Sequence, residues 1–365
     1  MKKLSGGNNK RTFWILLCLA IGIRLFAMNE SLVESIYAAS VYNYIGAFFR
    51  WLFGWIPFSI GDVLYISVVL YGIQKLVYLI KYIRNNRITA VFKKEYLFGI
   101  SGKIIGIYII FNLLWGLNYD RNGIRHQMNI ERQEYAKEDL EEVNALLLAK
   151  VNECKTGAAN QQHTYTTSEM VFAKTCDVYE KISAQYPFLR YSYKSIKSSF
   201  FGKLGNYMGF SGYYNPFSGE AQVNTTIPMF LQPYVCCHEV AHQLGYAKEN
   251  EANFVGYIAA TASEDSIFMY SAYLDLFLYA NRNLRRTDSV AAKQFSAQLS
   301  PGVQKDIQTM KDFYRSYQNA IEPYITWMYG KYLESNRQPS GMLSYSEVVG
   351  DLIAYYKKYG RIGGK

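Results

Sequence analysis

Two histidines four residues apart, with a glutamate between them, stand in the stretch Cys237-His238-Glu239-Val240-Ala241-His242-Gln243-Leu244-Gly245. On a helix, positions four apart lie on one face about a turn apart, so the two imidazoles can converge on one metal ion. Glu239 lies about 100° round the helix from His238, where its carboxylate can reach a water on the metal's open position and take its proton. Zn2+ is the ion this HExxH arrangement suggests. A catalytic zinc takes three protein ligands and keeps one position open, so a third ligand must come from beyond this turn. Glu249 and Glu251, in Glu249-Asn250-Glu251-Ala252-Asn253, are the candidates.

An HExxH string also arises by chance in ordinary amphipathic helices, so the elements around it matter. Pro233 suits a first helical turn, Tyr234, Val235, Cys236 and Cys237 continue it with apolar side chains, and Gly245 suits the position just past the end. The motif therefore belongs on a short, mostly buried helix. Two core histidines satisfied by backbone carbonyls would leave both the intervening glutamate and the acidic cluster behind them unexplained. A site inside a bilayer is disfavoured by length, because only about ten apolar residues surround His238 before Glu249 and Glu251. The other histidines, His126 and His163, lie in polar surroundings and receive no role.

At 365 residues the chain can hold one large domain and an accessory region. Its net charge of +10 is uneven: residues 1–97 carry 12 Lys/Arg against 4 Asp/Glu, and residues 98–365 carry 27 against 25. The basic residues flank apolar runs and form no patch on the later domain, which argues against nucleic acid as a partner and for the positive-inside pattern of a membrane protein. The five cysteines make neither a disulfide framework nor a Cys-rich zinc pattern. Cys236 and Cys237 read as small hydrophobes, and Cys154 and Cys176 could pair in an oxidising compartment.

Residues 12–28 are apolar except for Arg24, follow the basic Lys2, Lys3, Lys10 and Arg11, and lack a small-residue cleavage site after Met28. They read as an uncleaved signal anchor, the first span, with Arg24 able to snorkel. Residues 61–82 and 98–118 make the second and third spans, Ser59 capping the one and Trp115 and Tyr119 anchoring the end of the other. Residues 36–56, with Phe48, Phe49, Trp51, Phe53 and Trp55 around Arg50, read as an amphipathic helix lying at the outer membrane face. Lys81, Arg84, Arg87, Lys93 and Lys94 in the connection between spans two and three put that connection and the amino terminus in the cytoplasm. Three spans that start inside finish outside. Residues 1–119 are thus expected as a membrane region and residues 120–365 as an extracytoplasmic domain.

That domain should be α+β. Helices are expected at 137–152 and 168–185, with a polar loop around Gly157–His163 between them. Residues 196–226 are punctuated by glycines and predict hairpins, with a turn at Asn215-Pro216-Phe217-Ser218-Gly219 and a strand over Glu220–Thr226. A small antiparallel sheet is therefore expected before the HExxH helix, and helices follow at about 249–262, 265–286, 303–334 and 344–359.

HExxHxxG invites comparison with metzincins, whose third ligand is a histidine three residues after that glycine, but this chain has Lys248 there. Glu249-Asn250-Glu251-Ala252-Asn253 resembles instead the ExxA(D/N) element of gluzincin-type peptidases. The resemblance implies Glu249 as the ligand and Asn253, a turn further on, as its hydrogen-bonding support, with Glu251 as the alternative ligand. Six residues separate His242 from Glu249, where many gluzincins carry a far longer insertion. More widely, Ile56–Asp62, Trp115–Tyr119, Gly212–Ala221, His238–Phe254 and Gly341–Ser346 resemble a bacterial family catalogued as a domain of unknown function. The resemblance implies three amino-terminal membrane helices followed by a mostly helical, zincin-like domain, in a bacterial inner membrane.

The expected function is that of a membrane-anchored zinc metallopeptidase. Zn2+ is held by His238, His242 and Glu249, Glu239 is the general base, and a peptide substrate lies along the strand carrying Glu220, Gln222 and Asn224. A tyrosine or histidine donor to the oxyanion is also expected. Two alternatives stand beside this reading: a non-catalytic membrane protein whose zinc is structural, closed by a fourth protein ligand, and a zinc hydrolase of a non-peptide amide or ester.

Overall fold

The computed structural model describes residues 6–84, 94–131, 134–161 and 164–364. Lys2, Lys3, Arg87, Lys93 and His163 fall outside the described residues. The chain is mostly helical. Helix α1 (Gly6–Phe26) is followed by α2 (Glu30–Leu32), a π-helical stretch (Val33–Val41) and α3 (Tyr42–Phe53), then α4 (Ile60–Arg84), α5 (Lys94–Leu114), α6 (Gly123–Gln127), α7 (Lys137–Asn160) and α8 (Ser168–Ser183). Strand β1 (Ile196–Ser198), α9 (Gly202–Met208), β2 (Gly212–Asn215) and β3 (Glu220–Val223) come next. The chain continues through α10 (Gln232–Gln243), α11 (Glu249–Thr261), α12 (Ser266–Thr287), α13 (Ser289–Ala297), α14 (Pro301–Tyr317), α15 (Glu322–Ser335) and α16 (Ser344–Tyr359).

Two helices, α4 and residues 97–114 of α5, are long and apolar enough to cross a membrane. Residues 9–26 and 30–53, bent by 97° at the break between them, make a third if the pair counts as one span. Helix α1 packs along α5, with Phe13 edge-on to Phe98 at 5.2 Å, whereas among the described residues α4 makes no extensive contact with either and leaves its apolar length exposed. Ser59 caps α4 as its sequence position suggests, its hydroxyl accepting the Asp62 N–H at 2.9 Å.

The helix expected over 36–56 forms in part, π-helical up to Val41 and α-helical over Tyr42–Phe53, and it has two faces. Tyr42, Gly46 and Arg50, four residues apart, are buried, while Tyr44, Phe48, Trp51 and Trp55 point away from the fold. Arg50 is buried beneath the aromatics and donates to the carbonyls of Ser192 and Gln243 at 2.9 and 3.1 Å.

In the later part, Leu140, Val143, Leu147, Val151 and Cys154 recur every three or four residues as the buried stripe that α7 lays along α12. Helix α7 outruns its expected end at Asn152 because Cys154 is still core and Lys155 pairs with Asp306 at 2.5 Å. The single helix expected over 303–334 is broken. The Asn319 side chain accepts the N–H groups of Ile321 and Glu322, and Pro323 sits in the first turn of α15. Helix α13, not foreseen, starts at Asp288, whose carboxylate accepts from Val290 and Ala291. Cys154 and Cys176 are both free, and burial pushes each thiol up to about 11.

The sheet is mixed, not antiparallel: its order is β1-β3-β2, with β3 antiparallel to β2 and parallel to β1. The hairpin turn forms where expected, Asn215 accepting from Phe217 and Ser218 and Gly219 closing back on the Asn215 carbonyl at 2.8 Å. β3 is shorter than expected: the Asn224 backbone N–H still reaches the Ser211 carbonyl at 2.9 Å, but its side chain accepts the Thr226 N–H at 3.1 Å and turns the chain there. Glu220, Gln222 and Asn224 are fully buried, and β3 lies between its neighbours, so it offers no edge to a substrate. The edge strand on that side is β2.

The early and late parts of the chain are joined by a buried ion pair. Arg121 donates to both Glu34 oxygens at 2.9 and 2.6 Å and to the Gly245 carbonyl at 3.2 Å, and Gly123 and Gln127 also donate to Glu34. Burial pushes the Glu34 carboxyl up, but Arg121 and the two further donors outweigh it and hold it below its ordinary value. The stabilisation is therefore full above the ordinary carboxylate pKa and lost as pH falls through the depressed folded value. Glu34→Gln should lower stability by about 3–5 kcal/mol at pH 7, since it leaves Arg121 buried without its counter-charge. The difference from wild type should narrow below about pH 4.5. Unfolding of the full chain in detergent measures both, and equal stability at pH 7 contradicts the role given to the pair.

Candidate metal centre

Helix α10 begins where Gln232 is fixed, accepting the Ser168 hydroxyl at 2.7 Å and donating to the carbonyls of Thr225 and Ile227. Pro233 stands in its first turn. Cys236, Cys237, Val240 and Ala241 are buried in the core, which leaves His238, Glu239 and His242 on the other side. The helix stops at Gly245, whose φ of +90° favours glycine, and a Cβ there would come within 2.9 Å of the Tyr42 ring. The chain then turns so that the Tyr246 carbonyl meets His242 Nδ1 at 2.7 Å, leaving Nε2 free to face inward.

Helix α11 crosses α10 closely. A Cβ on Gly256 would lie 2.9 Å from the His238 backbone nitrogen, so only glycine allows this approach. The crossing brings Glu249 to the histidines: its Oε2 is 3.4 Å from His238 Nε2 and 3.6 Å from His242 Nε2. The three donor atoms lie within 4.8 Å of one another and could hold a metal ion. Ligands about 2.0–2.1 Å from a tetrahedral ion are about 3.3 Å apart, close to both observed separations. Glu249 Oε1 accepts the Tyr329 hydroxyl at 2.7 Å and its backbone N–H donates to Gln338, whereas the buried Oε2 has no hydrogen-bond partner. A cation between the three groups would satisfy that oxygen.

Glu251 is not part of this group. It lies against Gly123, with Lys248 at 3.6 Å. Cys236 and Cys237 stay in the core, and the metal-capable group containing the two histidines has three members among the described residues. Asn253 accepts from Tyr234 at 3.3 Å and donates to the Tyr345 carbonyl at 3.3 Å. Burial holds the His238 imidazole below its ordinary pKa, with Glu249 and, more weakly, Asn253 opposing it, and His238 Nδ1 is buried without a hydrogen-bond partner.

Glu239 is 3% exposed and lies so close to Gly212 that a Cβ there would meet its carboxylate at 2.4 Å. Burial pushes its carboxyl up to about 8, the Glu249 charge adding to the effect and His242 opposing it. His242 shows the opposite balance: burial lowers it, but Glu249 outweighs burial and raises it to about 9. Glu249 itself stays ionised, because the two imidazoles outweigh its burial. Tyr329, Gln338 and Gly212 were not singled out for the site from the sequence. Gly212 lay among several glycines, and Tyr329 was one of 34 tyrosines with no motif to mark it.

The fold and the donor group together define a mostly helical protein with a small mixed sheet, two or three helices apolar enough to span a membrane, and a buried His-His-Glu group able to hold a metal ion. No curated protein and no solved structure matches the chain. A family model does match, over residues 37–353, and the chain belongs to that family, whose description is protein of unknown function (DUF3810). The match begins inside the π-helical stretch, so it takes in α3 and its contacts with α10 as well as the donor group.

A proton competes with any metal ion for His242. Affinity of the purified protein for a divalent transition-metal ion should therefore rise as pH increases towards about 9, by up to tenfold per pH unit. Competition titrations between pH 6 and 9 test this, and an affinity independent of pH contradicts it.

Proposed function

We propose that this protein is a membrane-anchored zinc metallopeptidase that cuts peptide bonds outside the cytoplasm, with His238, His242 and Glu249 as zinc ligands and Glu239 as general base. The observation that carries the reading is the approach of one unbonded Glu249 oxygen to both inward-facing imidazoles, with a raised carboxyl beside them. Zinc held there would supply a Lewis acid and bring the pKa of a bound water towards 7. Tyr329 fixes Glu249 through Oε1, and the Tyr246 carbonyl fixes the His242 ring. Glu239 can take a proton from water and return it to the leaving amine, a task suited to a carboxyl whose pKa is near working pH.

Tyr345, whose side chain meets Tyr329, the residue bonded to Glu249, is the candidate oxyanion donor. Burial and the nearby Glu249 and Glu239 charges keep its hydroxyl protonated. The free edge of β2, which starts beside Glu239, offers backbone groups to an extended peptide, a mode that tolerates varied side chains. The excess of Lys/Arg in residues 1–97 supports a cytoplasmic amino terminus and an external site.

Glu239→Gln should keep the metal and lose at least about 10²-fold in peptide cleavage. His242→Ala and Glu249→Ala should lose the metal itself. Metal analysis beside cleavage of a quenched peptide library checks both halves. Wild type that cleaves no faster than Glu239→Gln contradicts the proposal.

A further inference from the structure

The donor group lies where the apolar helices end. On one side, Glu220 accepts the first N–H groups of α4, Ile60 at 3.1 Å and Gly61 at 2.7 Å, and Asp62 accepts from Phe200 and Tyr213. Tyr213 directly follows Gly212, the residue against Glu239. On the other side, Trp115, the residue after α5, is edge-on to His242 with ring centres 6.1 Å apart and 4.5 Å from the ring of Tyr214. Arg24 near the end of α1 reaches Asp120 at 3.6 Å, and Asp120 also holds Arg337, just past the helix whose Tyr329 holds Glu249.

Edge strand β2 and helix α10 thus sit over two supports, α4 and the α1–α5 pair, which share no extensive packing among the described residues. Helix α15, tied to the second support, leaves Tyr324 and Trp327 71% and 63% exposed, the residue types that gather at a membrane surface.

On the peptidase reading above, we propose that the substrate is a polypeptide anchored in the same bilayer. It is cut in the stretch just outside its own membrane segment, which approaches sideways between α4 and the α1–α5 pair and lies along β2. The chemistry is ordinary hydrolysis: the C–N bond of the scissile amide breaks, water supplies the hydroxyl of the new carboxylate end, and its proton passes through Glu239 to the new amine. Confinement to the bilayer raises the local concentration of such a segment near β2.

The test uses the full chain, zinc-loaded, in lipid vesicles, with one randomised segment presented in three ways: directly after a membrane helix, after the same helix and a 20-residue Gly/Ser spacer, and as a free peptide. The directly anchored form should be cut at least ten times faster than the other two. Brominated acyl chains should also quench the fluorescence of a variant that keeps Trp327 as its only tryptophan. Equal rates for the three forms, all abolished by Glu239→Gln, overturn this inference and leave the peptidase reading standing, and unquenched Trp327 fluorescence removes α15 from the bilayer surface and overturns it too. No cleavage of any form by zinc-loaded protein overturns both.

Discussion

A carboxylate that is 3% exposed, with one oxygen bonded to a tyrosine and the other aimed at two imidazoles, cannot rest there without a positive charge. Moving an ionised carboxyl out of water costs several kcal/mol unless something opposite in charge receives it. Protons on the imidazoles are one answer, and a divalent ion is the stronger one, since it serves all three groups at once. The crossing of α10 and α11, the glycine that allows it and the tyrosine on α15 together keep Glu249 at this point.

The same constraint reaches into the amino-terminal third of the chain. The Gln243 carbonyl, at the end of α10, accepts from both Tyr42 and Arg50, and the Gly245 carbonyl accepts from Arg121. Tyr37, Tyr42, Trp115, Leu117 and Tyr119 form a second core with Ala247, which lies between His242 and Glu249 in the chain. The apolar helices therefore do more than tether a finished domain. Residues 120–365 on their own would leave the Gln243 carbonyl without Tyr42 and Arg50, Arg121 without Glu34, and Ala247 without the aromatic cluster that covers it, which is a reason to study the protein whole.

Much of helix α10 was legible in the sequence, because local chemistry decides it: Pro233 at the start, Gly245 at the end, and imidazoles four residues apart on one face. The cap at Ser59 and the turn at Asn215–Gly219 were legible for the same reason. What could not be read is what depends on distant partners. Strand β3 alternates like an edge strand, yet Glu220 and Gln222 are buried because the start of α4 and Ser59 occupy them. Gly212 and Tyr329 reach the site only through tertiary packing, and no spacing announces them. The break between α14 and α15 was written locally in Asn319 and Pro323, but the apolar pattern running across it masked the signal.

The most direct test of the account is elemental analysis joined to X-ray absorption at the metal edge, on the full chain purified without added metal. The account predicts one zinc per chain in a shell of nitrogen and oxygen only, with three protein ligands and one solvent position. A protein that carries no zinc, or a shell that contains sulfur or four protein ligands, would contradict it.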